Sequence, residues 1–229
     1  MVMVLQNLID KQDSSERIRD RIVEILQSEV ENQVNLANAE GRDPLDWFIR
    51  PFSERSNPWD IFKTGVAGNQ APVVNVWFDG FTNADGSSDA VGRVNKVRGT
   101  FNVDCYGYGI SKDEVSGGHQ AGDKDAVTEV MRCARLVRNI LMASINTYLQ
   151  FQDPVTGKMD PTVGVSFRSV ESGQAFQLPT EDLNDAKNIA SMRLVFRVDY
   201  LEESPQFEGI ELEIVTAATE LAGQEFNYA

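Results

Sequence analysis

From Val97 to Tyr106 the side chains alternate in character. Val97, Gly99, Phe101, Val103 and Cys105 fall on one side, and Arg98, Thr100, Asn102, Asp104 and Tyr106 on the other. A period of two belongs to a strand with one face in the core. The period returns further on, where Met192, Leu194, Phe196, Val198 and Tyr200 alternate with polar or charged neighbours. Both segments contain Phe-x-Val-Asp followed closely by Tyr. Their flanks differ, so the shared pattern reads as a common inside–outside demand and not as an internal repeat. Val74, Val76 and Phe78 predict another strand, joined to the first through the turn-rich segment Thr82 to Arg93 as a hairpin with a long tip.

Two segments carry a helical period instead. Asp13 with Glu16 three residues later resembles a capping box, and Ile18, Ile22, Ile25, Leu26, Val30 and Val34 follow at helical spacing. The spacing predicts a helix over 14–39, with Gly41 as its stop. A second helix is predicted from an N-cap at Asp123 to about Gln150, with Val127, Val130, Met131, Ala134, Val137, Leu141, Ile145 and Leu149 as its apolar stripe. Arg132, Arg135 and Arg138 run along its flank at steps of three. They suit a solvated, internally paired face, or a contact with acid on a neighbouring subunit. Val163, Val165 and Phe167 begin a further strand, and Ile210, Leu212 and Ile214 mark a last one.

Strands cluster around a central helix rather than alternating with helices. The expected class is therefore α+β, a mainly antiparallel β-sheet packed against one long central helix plus an N-terminal amphipathic helix. At 229 residues the chain is expected to be one α+β domain over 1–229, with loop insertions near 43–72 and 171–188 and an extended C-terminal tail, 216–229. The first insertion is broken by four prolines yet carries Trp47, Phe48, Phe52, Trp59 and Phe62. Such a loop either wraps its own domain or docks on another chain.

Charge narrows the function. There are 35 acidic against 21 basic residues, a net charge of −14, which disfavours a site that grips nucleic-acid phosphates. It is compatible with DNA that slides past without being held. No apolar run is long enough to span a membrane. The opening MVMVLQNLI lacks a basic leader and a cleavage site, so the chain is expected to stay in the cytosol of the cell that makes it. The two cysteines, Cys105 and Cys133, read as small buried hydrophobes.

The residues suited to catalysis are few. His119 is the single histidine and lies in a Gly-rich loop with no nucleophile motif beside it. One histidine and two dispersed cysteines do not make a usual zinc site. There is no phosphate-binding loop. Asn83 to Asp89 is rich in side-chain oxygen but lacks the EF-hand spacing, and a hairpin tip accounts for it. No carboxylate pair is singled out by its surroundings. A structural or binding role is expected, with no enzyme activity, cofactor or metal.

The element order, with the hairpin VNVWFDGF…KVRGTFNVDCYGYG, the long helix and the closing MRLVFRVDYLEE, resembles the tail-terminator and neck proteins of tailed bacteriophages, also called tail-completion or head–tail joining proteins. The resemblance covers roughly Ser14 to Val215. It implies a homo-oligomeric ring, usually a hexamer, at the head-proximal end of the tail. Such a ring caps the tail tube, with or without a sheath, and offers a face to the head connector or adaptor while DNA passes through. It implies a place in the virion neck, assembly in the host cytoplasm, and no catalytic residues. For the subunit interface, aromatic density and helix spacing point to Trp47, Phe48, Trp59 and Phe62, with Arg132 and Arg135 as charged contacts. Two other readings remain. One is a different virion component, such as a connector adaptor, a tube-associated protein or a baseplate protein. The other is a cytosolic enzyme or small-ligand-binding domain.

Overall fold

The computed structural model describes residues 13–63, 70–88, 94–114, 118–151, 156–158, 163–171, 173–176 and 188–203. The opening apolar segment, the strand expected around Ile210 to Ile214 and the tail 216–229 lie outside these residues.

Helix α1 spans Ser14–Ala39, the predicted range. Asp13 caps it, its carboxylate accepting from Glu16 N–H at 2.9 Å and from Ser15 Oγ at 2.6 Å. At the other end Gly41 takes φ +71°, Gly41 N–H reaches Asn38 O, and Arg42 N–H reaches Ala37 O. That pair of bonds is a Schellman closure, which needs a left-handed residue and so favours glycine.

The main sheet runs in the order β1 (Arg50–Ser53), β2 (Val73–Ser88), β3 (Val94–Tyr108), β8 (Ile189–Glu203), β6 (Phe167–Val170), with β7 (Gln174–Ala175) also on β8. All pairings are antiparallel except β1 with β2, which are parallel. The chain is thus α+β with a mostly antiparallel sheet. The predicted β2–β3 hairpin is present, but β2 continues through Asn83 to Ser88, where a turn was expected. The first insertion is not all loop. It contains a 3-10 turn at Pro44–Trp47, the strand β1, and the short helix α2 at Asp60–Lys63. A separate two-stranded sheet, β4 (Lys112–Glu114) with β5 (Gly118–Gln120), sets His119 opposite Asp113 in register.

Helices α1 and α3 (Gly122–Met142) cover one face of the main sheet. Between them and the sheet lies the large core, which includes Ile18, Leu26, Val74, Phe101, Val103, Val137, Leu194, Phe196 and Tyr200. The predicted inward sets of β3 and β8 supply most of its floor. Cys105 and Cys133 are both free and buried in it, and the hydrogen bond that the Cys105 thiol makes to Cys133, with burial, holds its pKa well above its ordinary value. On the opposite face a smaller cluster forms from Trp59, Phe62, Val73 and Tyr106.

Helix α3 is shorter than its period suggests. It ends at Met142, and Ala143 turns to ψ 141°. The carbonyls at its end and in the turn that follows have remote partners. Arg168, on β6, donates to Ala143 O at 2.7 Å, Asn146 O at 2.7 Å and Met142 O at 3.2 Å. Asn146 Nδ2 donates to Ile140 O at 2.8 Å. These donors meet the orphan carbonyls that continued helix would have satisfied. Its start also differs. Ala121 is the cap residue, and Asp123 sits in the first turn and accepts from Lys124 N–H. Gly122 N–H is taken by Ser111 Oγ at 3.1 Å.

The two Phe-x-Val-Asp segments are paired with each other. Phe101 lies opposite Phe196, Asp104 opposite Arg193, and Arg98 opposite Asp199. Each motif is therefore Arg-x-x-Phe-x-Val-Asp, Arg98 to Asp104 and Arg193 to Asp199. An antiparallel pair centred on the two phenylalanines is a local two-fold, so each arginine meets the other strand's aspartate. Both pairs are bidentate, with Arg193 reaching Asp104 at 2.7 and 2.9 Å and Arg98 reaching Asp199 at 2.6 and 3.0 Å.

Candidate interaction surfaces

Three surfaces carry features beyond ordinary packing. The first is on the sheet face away from α1 and α3. Register places Asn75, Asp104 and Arg193 in one row across β2, β3 and β8. Asp104 is 2% exposed and accepts from Trp77 Nε1 at 2.9 Å as well as from Arg193. The Arg193 guanidinium lies 5.0 Å from the Trp77 ring centre and 4.9 Å from that of Phe176, a cation between two π faces. Its hydrogen bond to Asp104 raises its pKa. Burial, reinforced by the Asp104 charge, raises that of Tyr106. Beside this row is a cavity of about 440 Å³ that Trp59, Arg55 and Glu54 also line. Its polar groups are largely engaged with one another: Asn75 accepts from Arg55 N–H and donates to Arg55 O. The network thus reads as a rigid brace for three strands and the 54–59 segment.

This arrangement corrects part of the interface expectation. Trp59 (6% exposed) and Phe62 (9% exposed) are core residues of their own chain. Trp59 packs on Tyr106 at 5.6 Å between ring centres, and Phe62 stacks on Tyr108 at 5.6 Å. The sequence marked the segment as aromatic but could not say which wall it covers. The wall is Val73 and Tyr106, the outward positions of β2 and β3, so these two aromatics leave the candidate set. Trp59→Ala is expected to cost roughly 3 kcal/mol of stability. Trp59→Phe is expected to cost much less, because the indole N–H is buried with no hydrogen-bond partner among the described residues. Thermal unfolding of the two variants checks the difference.

The second surface is a groove between α1 and β1, a cavity of about 400 Å³ whose walls include Val30, Val34, Phe48, Ile49 and Phe52, with Gln27 and Glu31 on the α1 side. On α1 these are Gln27, Val30, Glu31 and Val34, at steps of three and four, one flank of the helix. Phe48, an expected interface residue, is 40% exposed at this groove. Trp47 is half-buried, 5.8 Å from the Arg42 guanidinium, and does not line it.

The third surface is the outer side of α3. Val127, Met131 and Met142 are exposed there, Met131 at 52%, in one stripe with Arg135 and Arg138. The sequence put Val127 and Met131 into the core stripe. The helix does bury the predicted Val130, Ala134, Val137 and Leu141, but it adds Ala126, Cys133 and Ile140 to that face and leaves Val127 and Met131 at its outer edge. Ile145, also assigned to the core, is exposed just beyond the helix. Arg132 is exposed and pairs with Glu129 at 2.9 Å, one turn away. Arg135 and Arg138 make no ion pair among the described residues. The structure brings neither arginine near Phe48 within one chain: the groove lies by β1 at the sheet edge, and α3 packs over β3, β8 and β6.

Among the described residues no cluster of His, Cys, Asp and Glu could hold a metal ion, and no helix is long and apolar enough to cross a membrane. Compared with known proteins, the chain matches no family model and no curated sequence.

Proposed function

We propose that this chain is a structural protein of a tailed-bacteriophage virion, a ring-forming neck subunit that terminates the tail tube and joins it to the head connector. The observation that carries the reading is a pair of separate apolar surfaces on one subunit, the α1–β1 groove and the outer stripe of α3. A subunit with two different sticky faces associates head to tail, and head-to-tail contacts that close generate rings. The helix-plus-hairpin order that resembles tail terminators supports the same conclusion. The net charge of −14 suits a lumen through which DNA phosphates slide. The partners are further copies of the chain, the tail tube with any sheath, and the connector or its adaptor.

Light scattering on the purified protein, with negative-stain images of the same sample, tests the reading. The expected result is annular particles with a mass near six copies of the 25.5 kDa chain. A chain that stays monomeric alone and when mixed with purified tail tubes would overturn it.

A further inference from the structure

We infer that the α3 stripe of one subunit seats in the α1–β1 groove of the next copy, Met131 entering the groove and Arg135 and Arg138 facing Glu31. The inference rests on the ring reading and names the two faces that meet.

Charge selects the pairing. From Glu24 to Ala39, α1 has three acidic residues and no basic one. From Val130 to Met142, α3 has three arginines and no acidic residue. In a chain of net charge −14, two copies repel each other over most of their surface. The α3 stripe is where a copy can approach the acidic flank of another without that penalty. Glu31, exposed at the rim of the groove, makes no ion pair among the described residues, and neither do Arg135 and Arg138. Exposed ion pairs add little affinity by themselves but set orientation and speed encounter.

Shape and apolar area agree. The stripe is convex, with an unbranched Met131 that stands half out of the surface. The groove is concave and walled by Val30, Val34, Phe48 and Phe52. Arg50 also lines it, but its guanidinium donates to Ala71 O at 2.8 Å, which leaves Glu31 as the charge at the α1 rim. A flexible thioether fills such an irregular apolar gap well. Because the two faces sit on different parts of the fold, each copy can use both at once. The contact is therefore heterologous and propagates around a ring.

Two measurements test the pairing on the full-length chain. In the first, Glu31→Arg and Arg135→Glu are made singly and together, and mass is followed against concentration. Each single variant is expected to need at least a tenfold higher concentration to assemble, and the double variant to regain most of the loss. Circular dichroism confirms that these exposed substitutions leave the fold intact. In the second, Val34→Cys and Met131→Cys chains are mixed and oxidised. The native cysteines are buried, so a disulfide-linked dimer formed only in the mixture reports contact between copies. A wild-type ring with unchanged mass in both single variants and no cross-link overturns the pairing and leaves the ring. A wild-type chain that never associates, alone or on tail tubes, removes the ring reading and the pairing together.

Discussion

Asp104→Ala is expected to lower the stability of the subunit by roughly 3 kcal/mol, seen as a fall in melting temperature of about 6–12 °C. The carboxylate is 2% exposed and accepts three hydrogen bonds, two from Arg193 and one from Trp77. Removing it leaves the guanidinium between two aromatic rings without its bonded carboxylate, only the more weakly coupled Asp79 remaining, and it frees the indole N–H. The estimate sits at the low end for a broken buried pair because the Arg193 side chain is itself 33% exposed and regains some water. The local two-fold supplies an internal comparison. Asp199→Ala breaks the sister pair, but its partner Arg98 is 44% exposed and no indole donates to Asp199 among the described residues. Asp199→Ala is therefore expected to cost less than Asp104→Ala. Equal losses would mean that the brace on the outer face is not held by the Trp77 and Phe176 sandwich.

Gly109→Ala is expected to cost roughly 3 kcal/mol, the upper end for overpacking, because what a methyl group would meet is main chain. A Cβ at this position would overlap Gly122 O and Ala126 N in the first turn of α3. Two residues earlier, a Cβ on Gly107 would lie 2.7 Å from Ala126 O and from Val130 N. The Tyr-Gly-Tyr-Gly run at the end of β3 therefore lets the strand pass directly under the helix. Gly109 N–H also bonds Asn188 O at 2.9 Å, which joins this crossing to the start of β8. Gly41→Ala is the contrast. Nothing lies within 4 Å of a Cβ there, so only the left-handed backbone resists, at about 1 kcal/mol. Urea unfolding of both variants gives the comparison. A Gly109→Ala loss no larger than that of Gly41→Ala would show that α3 can shift away from β3 without penalty.

What the sequence made legible depended on how local the cause was. Helix α1 was readable at both ends because Asp13, Glu16 and Gly41 act within one turn of the helix they bound. The strands β3 and β8 were readable because period two is local, and so was the sharing of Phe-x-Val-Asp. Its reason was not: the arginine three residues before each phenylalanine acquires meaning only when Phe101 faces Phe196. The end of α3 was misjudged because Arg168, which caps it, comes from β6. Strand β1 was hidden for a related reason. Arg-Pro-Phe-Ser has no alternation, and its pairing with β2 is parallel, across a connection of some twenty residues. Of the candidate site, Phe48 and the arginines of α3 were found at the surface. Trp59 and Phe62 were not, because an aromatic residue in an insertion carries no mark of which surface it covers.

The place of Pro51 in β1 bears on how the protein behaves when crowded. Arg50 N–H and Glu54 N–H point toward Pro72 O and Val76 O, so the alternate positions, Pro51 and Ser53, present their backbone outward from the sheet. Pro51 has no N–H to offer, and its carbonyl already accepts from Gln27 Nε2. The outward rim of β1 is left with little for a foreign strand to zip onto. Copies held at high density are thereby steered away from runaway sheet growth into amyloid-like fibres, and left to meet through side chains.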